Sequence, residues 1–318
     1  MNLSWRQQLA LLVVAITALL ASFVRPTAVL PQTTYRYVYF FDISQSMNVM
    51  DVADGGKAVS RLELAKRRAI ESLNVLPCDA EVGIGLFTGH RVFPLLLPVG
   101  ICSNYAELTD LIEQIDWRMT WKARSEVAKG LYKGIKLLTQ LDEPTRLLFF
   151  TDGHEAPPLH PDVQPKFTGA VGAVGGLIVG VGGEKPVPIP KFDLEGNPQG
   201  VFSSDEVLHV DEFSLSRMSE DEVARAVKNA QHLSSLHQDY LVSLADRTGL
   251  GYHPLGANAA FVSAIESAAL GIRKMAETDL RRFFAAVALL AVLLVVIARS
   301  TGSAAHSSSV GRAERDLS

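Results

Sequence analysis

The sequence predicts a doubly wound α/β domain on a mostly parallel sheet with one antiparallel edge strand, flanked by N- and C-terminal transmembrane helices. Three observations predict it. Short apolar runs of aromatic and β-branched residues alternate with helical periodicities, as in a sheet covered on both faces. Two of those runs stop at an aspartate, the strand end where such sheets bind ligands. Two uncharged apolar segments, 7–24 (QQLALLVVAITALLASFV) and 283–298 (FFAAVALLAVLLVVIA), bracket the rest.

Both apolar segments fall short of the roughly 20 residues that span a bilayer, and Arg25, Arg281, Arg282 and Arg299 can snorkel to make up the difference. The first reads as an uncleaved signal anchor, because Leu19 and Ala21 make a poor small-x-small cleavage site. Residues 35–257 then form the domain. The run 36–42 (RYVYFFD) is a buried strand and 48–59 a polar loop. Ser60-Arg61-Leu62-Glu63 is a capping box opening a helix that buries Leu62, Ala65, Ala69, Leu73 and Leu76. A hairpin follows, then helices at 104–115 and 125–138, the latter with Val127, Leu131, Ile135 and Leu138 inward. Strands are expected at 146–152, 176–181 and 252–255.

Residues 183–215 have proline and turn signals and little periodicity, and read as an insertion with a hairpin about Glu195-Gly196-Asn197. Ser219 to Glu222 is a second capping box, starting a long helical region that stops near Gly249. Residues 258–282 are expected to form an amphipathic helix running into the second span, and 299–318 a disordered polar tail.

The formal net charge of −4 argues against a nucleic-acid partner. Two spans place both termini on one side. The basic residues Arg25, Arg36, Arg273, Lys274, Arg281 and Arg282 flank the middle domain and favour the cytoplasm for it. The cysteines favour the other side. If Thr88 pairs with Val92, paired positions sum to 180 and Cys78 faces Cys102, within reach of a disulfide. A disulfide implies an oxidising compartment, and long domains translocate largely regardless of flanking charge. The expectation is an inner-membrane protein with its domain in the periplasm.

At the sheet edge, Asp42 ends one strand and Asp152 another, and Ser44 and Ser46 follow Asp42 at alternate positions. Carboxylates and hydroxyls together are hard oxygen donors, suited to Mg²⁺, Ca²⁺ or Mn²⁺. They would not saturate the ion, leaving room for water or a partner's carboxylate.

This constellation resembles the von Willebrand factor A (vWA) domain with its metal-ion-dependent adhesion site. Asp42-Ile43-Ser44-Gln45-Ser46 matches the family's D-x-S-x-S, Thr151-Asp152-Gly153 its T-D-G turn, and the stretch from Ala123 to Leu131 its threonine-bearing segment, with Ser125 in the threonine position and Arg124 replacing a glycine. The resemblance implies Asp42, Ser44, Ser46, Ser125 and Asp152 as metal-binding residues, and metal-dependent protein binding as the function. The wording around Phe41–Met47, Asp116–Trp121 and Thr151–Pro158 is similar to membrane-anchored A-domain proteins of methanol-oxidation operons, the MxaL type. That likeness implies an accessory factor for a periplasmic metalloenzyme such as methanol dehydrogenase.

Rival readings have less support. A vWA partner of a cytoplasmic MoxR-type AAA+ ATPase needs the opposite topology. A metal-dependent hydrolase using Asp42 or Ser44 lacks a motif-backed general base, so no enzymatic role is expected. His154 and His160 are too far apart, across Pro157 and Pro158, for a zinc-protease motif. They line the metal face or a solvated loop. Trp117 and Trp121 cover the site or pack in the core. The glycine-rich run 169–176 precedes a strand, where a dinucleotide loop must follow one. Asp51 and Asp54 read as solvated loop acids.

Overall fold

The computed structural model of the chain describes residues 4–24, 26–120, 124–159, 164–207, 217–219, 221–222, 231–256, 258–267 and 269–313. It contains two compact units, Thr33–Ile272 and Met1–Gln32 with Arg273–Ser318.

The first unit is built on six strands: β1 (Arg36–Asp42), β2 (Glu81–Thr88), β3 (Arg91–Gly100), β4 (Arg146–Thr151), β5 (Gly176–Gly180) and β6 (Gly251–Pro254). Their order is β3-β2-β1-β4-β5-β6, and every neighbouring pair is parallel except the β2–β3 hairpin. Parallel neighbours need crossovers. Helices in these connections are α1 (Arg61–Val75), α2 (Tyr105–Glu113), α3 (Val127–Leu138) and α4 (Gln238–Thr248), with α5 (Asn258–Ile265) after β6. Strand β1 shows why the sheet is covered on both faces. Tyr37, Tyr39 and Phe41 enter one apolar cluster with residues of α1, α2 and α5, while Val38 and Phe40 enter another with α3 and α4. A strand buried on both sides reads as continuous apolarity, which is how RYVYFFD reads.

The predicted helical faces are buried: Leu62, Ala65, Ala69, Leu73 and Leu76 around α1, and Val127, Leu131, Ile135 and Leu138 on α3. Ser60 caps α1, its Oγ accepting the Glu63 N–H at 3.1 Å. Gly130 lets α3 press onto β2, since the Phe87 ring fills the space a Cβ would need.

Several expectations are corrected. The hairpin turns one residue tighter than expected, with Thr88 opposite Arg91, and register shifts bring Glu81 opposite Gly100. Pro94 and Pro98 on β3 have no N–H for the ladder, and the shifts lie beside them. The cysteines, beyond the strand ends, are nevertheless joined, with Cα atoms 5.1 Å apart. The loop 48–59 contains a short antiparallel pair, Val52–Asp54 with Lys57–Val59. The long helix expected after Ser219 is broken, because Leu233–Ser234 pairs with Val187–Pro188 and α4 starts only at Gln238. Of the Ser219 capping box the return bond is present, the Ser219 N–H donating to Glu222 Oε2 at 2.8 Å, while the Glu222 N–H donates to the Ser219 carbonyl; 223–230 lie outside the described residues. The inserted hairpin is present as Pro190–Phe192 paired with Pro198–Val201; residues 208–215 of the insertion lie outside the described residues.

The amphipathic helix expected over 258–282 does not form as one element. It ends at Ile265, and Ile272–Asp279 is a strand paired with Thr27–Thr34. Gly271 interrupts the helical pattern, and the pairing partner lies over 200 residues away, where local periodicity cannot see it.

The second unit holds the helices Trp5–Phe23 and Arg281–Ala313, each with a window long and apolar enough to cross a membrane. They pack together. Their buried residues are Ala15, Ala18, Ala288, Ala291, Val295 and Ala298, while Leu9, Ile16, Leu20, Phe283, Leu289 and Ile297 are among those facing outward. Small residues inside and large apolar ones outside is the pattern of helices packed in lipid. The helix continues to Ala313, so 299–313 are helical where a disordered tail was expected; 314–318 lie outside the described residues. A long preceding span supplies the nucleus, after which each added residue costs little.

Candidate functional site

Strands β1 and β4 are parallel neighbours with Phe41 opposite Phe150, so their carboxyl ends arrive together. Asp42 closes β1 and is fully buried. Its Oδ1 accepts the Ser44 N–H at 2.9 Å, and its Oδ2 accepts the Thr151 hydroxyl at 2.7 Å. The chain then turns through a short 3-10 segment, Gln45–Asn48, that brings the Ser44 and Ser46 hydroxyls within 3.2 Å of each other. Asp152 follows β4, also fully buried, and Gly153 at φ +79° turns the chain away. That turn lets Asp152 Oδ1 accept the His154 N–H at 2.9 Å, while Ser46 hydrogen-bonds the same carboxylate.

Ser125 arrives differently from expected. It precedes α3 instead of opening it, held in an isolated bridge by hydrogen bonds of 2.8 and 2.7 Å with the Ala156 backbone. Its Oγ is buried and has no hydrogen-bond partner. Ser44, Ser46, Ser125 and His154 line a cavity of about 530 Å³, whose other walls include Ile189, Phe202 and Glu206 from the insertion. The structure therefore brings all five predicted residues to one edge, with the hydroxyls facing the cavity and the two carboxylates buried beside them.

The carboxylates sit in contrasting fields. Burial, with Asp152 nearby, pushes Asp42 up to about 7. Burial also acts upward on Asp152, but Arg61 leads a set of charges and hydrogen bonds that hold it below the usual carboxylate range. Arg61 is the main residue that sequence reasoning missed. It is fully buried, with Nη1 2.6 Å from Asp152 Oδ2. As the first residue after a capping serine it reads as solvated, and no local signal marks it. Asp51, expected to be solvated, is paired with Arg61 at 2.6 Å; Asp54 pairs with Arg67 and Arg68.

Glu155 was also missed. It accepts the Ala128 N–H at 2.9 Å at the start of α3 and a hydrogen bond from the Tyr240 hydroxyl, and burial pushes it up to about 7. His154 is buried against His237, ring centres 5.7 Å apart, its Nδ1 without a partner and its pKa lowered by burial. It faces the cavity and not solvent; His160 lies outside the described residues. His232 and His237 share no helix, since the first precedes Leu233–Ser234 and the second precedes α4. Trp117 packs on Phe192 of the insertion at 5.7 Å, and Trp121 lies outside the described residues.

Among the described residues no group of three His, Cys, Asp or Glu is placed to hold a metal ion by itself. The donors at this edge are carboxylate and hydroxyl oxygens, the set a hard divalent ion takes. The unbonded Ser125 hydroxyl fits such an ion, since a buried polar atom ordinarily has a partner.

Sheet order and site position together define the architecture: a doubly wound α/β fold whose mostly parallel sheet has one antiparallel edge strand and carries the site at its carboxyl edge. No protein-family model matches the chain, and no curated protein does. Among solved structures it is similar to an aerotolerance-related membrane protein from Bacteroides fragilis NCTC 9343 carrying multiple mutations to serines, at 20% identity over 73% of this chain and 96% of that one, TM-score 0.47. It is similar to the conserved hypothetical protein BatB from Bacteroides thetaiotaomicron at 21% identity, over 73% of this chain and 95% of that one, TM-score 0.45. A more distant likeness is proximal thread matrix protein 1 from the mussel byssus, solved with a zinc-occupied MIDAS motif, at 12% identity over 48% of this chain and 39% of that one, TM-score 0.30.

Proposed function

We propose that this chain is a membrane-anchored vWA-like domain whose edge, formed by Asp42, Ser44, Ser46, Ser125 and Asp152, holds a divalent cation (Mg²⁺, Ca²⁺ or Mn²⁺) through which a partner protein's carboxylate is bound. The ion would supply Lewis-acid attraction for that carboxylate. The observation that carries the reading is the Ser125 hydroxyl, buried without a partner on the same cavity as Ser44 and Ser46. The role is binding without turnover. The Cys78–Cys102 bridge supports a periplasmic domain, 35–257, on inner-membrane anchors at 7–24 and 283–298. The wording around Phe41–Met47 and Thr151–Pro158 supports the narrower reading of an accessory factor in methanol dehydrogenase maturation.

Two experiments test this. Purified chain is mixed with methanol dehydrogenase and captured in Mg²⁺ or Ca²⁺, with and without chelator, alongside Asp42→Ala. Capture is expected only for the wild type with metal; capture indifferent to both changes sinks the metal-bridged reading. In intact cells, maleimide is expected to label Cys78 and Cys102 only after reduction. Labelling without reductant overturns the periplasmic placement.

A further inference from the structure

We infer that Arg61 is a resident cation of this site, one that keeps the charge of Asp152 for itself and thereby sets how weakly the edge binds a divalent ion. The inference rests on the metal reading above and concerns a residue outside the predicted set.

The guanidinium is fully buried and all three of its nitrogens are engaged. Nε and Nη2 grip Asp51 as a fork, at 3.0 and 2.6 Å. Nη1 donates to Asp152 Oδ2 and to Ser234 Oγ, each at 2.6 Å, and reaches the Ser46 carbonyl at 3.4 Å. Nη2 also donates to the Ser234 carbonyl at 3.2 Å. The partners are held in turn. Asp51 Oδ2 accepts the Gly183 N–H at 2.8 Å, where the insertion leaves the sheet, and Ser234 lies on a short strand paired with Val187–Pro188 of the insertion. Ser234 Oγ adds a hydrogen bond to Asp152 Oδ2 at 3.1 Å.

Both oxygens of Asp152 are thus engaged, Oδ2 by Arg61 and Ser234 and Oδ1 by the His154 N–H, and Ser46 hydrogen-bonds the same carboxylate. A divalent ion at this edge meets a positive charge that cannot swing into solvent, because it is fully buried and its anchors, Asp51, Asp152 and Ser234, are themselves held by backbone and side-chain hydrogen bonds. Like charges at short range in a buried setting repel strongly, so the ion is held by Asp42 and the hydroxyls against that repulsion. Removing Arg61 together with Asp51 leaves the formal net charge of the chain unchanged and frees Asp152.

The test is Mn²⁺ titration of the full chain in detergent micelles, with free Mn²⁺ read by electron paramagnetic resonance. Arg61→Met/Asp51→Asn is expected to bind at least about tenfold tighter than the wild type, and Arg61→Lys, which keeps the charge, within about threefold of it. Asp42→Ala is expected to abolish binding in either background. Equal or weaker affinity in the double variant, with Asp42 dependence intact, overturns the role of Arg61 and leaves the metal reading standing. Loss of Asp42 dependence in every variant overturns the metal reading, and this inference with it. Should the double variant fail to fold, arginine-¹⁵N-labelled wild type decides. Arg61 guanidinium protons, assigned against Arg61→Lys, are expected to stay in slow exchange when Mg²⁺ saturates the site; their loss overturns the inference.

Discussion

At Ser125 a hydroxyl is buried with nothing to bond, and at Glu155 a carboxylate is buried with too little. The two make opposite predictions. Ser125→Ala removes an unsatisfied buried group, so the melting temperature of the metal-free chain is expected to hold or rise. Its Mn²⁺ affinity is expected to fall roughly tenfold, since one donor is lost. Calorimetric melting and Mn²⁺ titration read the two effects separately, and a variant that melts early while binding normally would refute the assignment. At Glu155 the pKa of about 7 in the fold lies above the ordinary 4.5, so the folded chain holds more protons than the unfolded one between those values. Stability is therefore expected to fall as pH rises from about 5 to about 7, and Asp42, also near 7, adds to the same slope. Glu155→Gln should flatten part of the slope in a melting series on metal-free protein. An unchanged slope in that variant would place the titration elsewhere.

At the scale of elements, the β2–β3 hairpin and its disulfide bear on how far the chain reads from sequence. Cys78 and Cys102 are separated by 24 residues, a loop whose closure is worth about 3 kcal/mol in the chain-entropy view. Cys78→Ser/Cys102→Ser is expected to lose about that much stability in urea. No loss would mean the proline-shifted strands already hold the ends together. The pairing was legible although the register was not, because the shifts beside Pro94 and Pro98 offset the tighter turn. Helix α1 was legible from its cap and its buried face, both local properties. The broken helix after Ser219 and the strand at Ile272–Asp279 were not, because each is decided by a distant backbone partner.

For the whole molecule, two apolar helices packed through alanines, with large apolar side chains outward, predict firm membrane attachment. The chain is expected to stay in the membrane fraction through an alkaline carbonate wash. A truncation ending before Arg281 should stay too, held by Trp5–Phe23, and removal of both helices should release it. Release of the full chain by carbonate would contradict the spanning reading.

By itself the sequence determined the α/β class, the two apolar spans, the apolar faces of the helices and four of the five oxygen-bearing positions at strand ends. These follow from periodicity, composition and the abrupt stop of an apolar run at Asp42 or Asp152, all short-range features. Ser125 was legible only as one place in a family's motif, and its unbonded hydroxyl only in three dimensions. The tertiary structure alone decided the charge of the site. Arg61 lies 91 residues from Asp152 and Ser234 lies 82, and no local pattern tells a buried arginine from a solvated one at the start of a helix. Burial turns that arginine into a permanent neighbour of Asp152, because a charge withdrawn from water must stay with its partners.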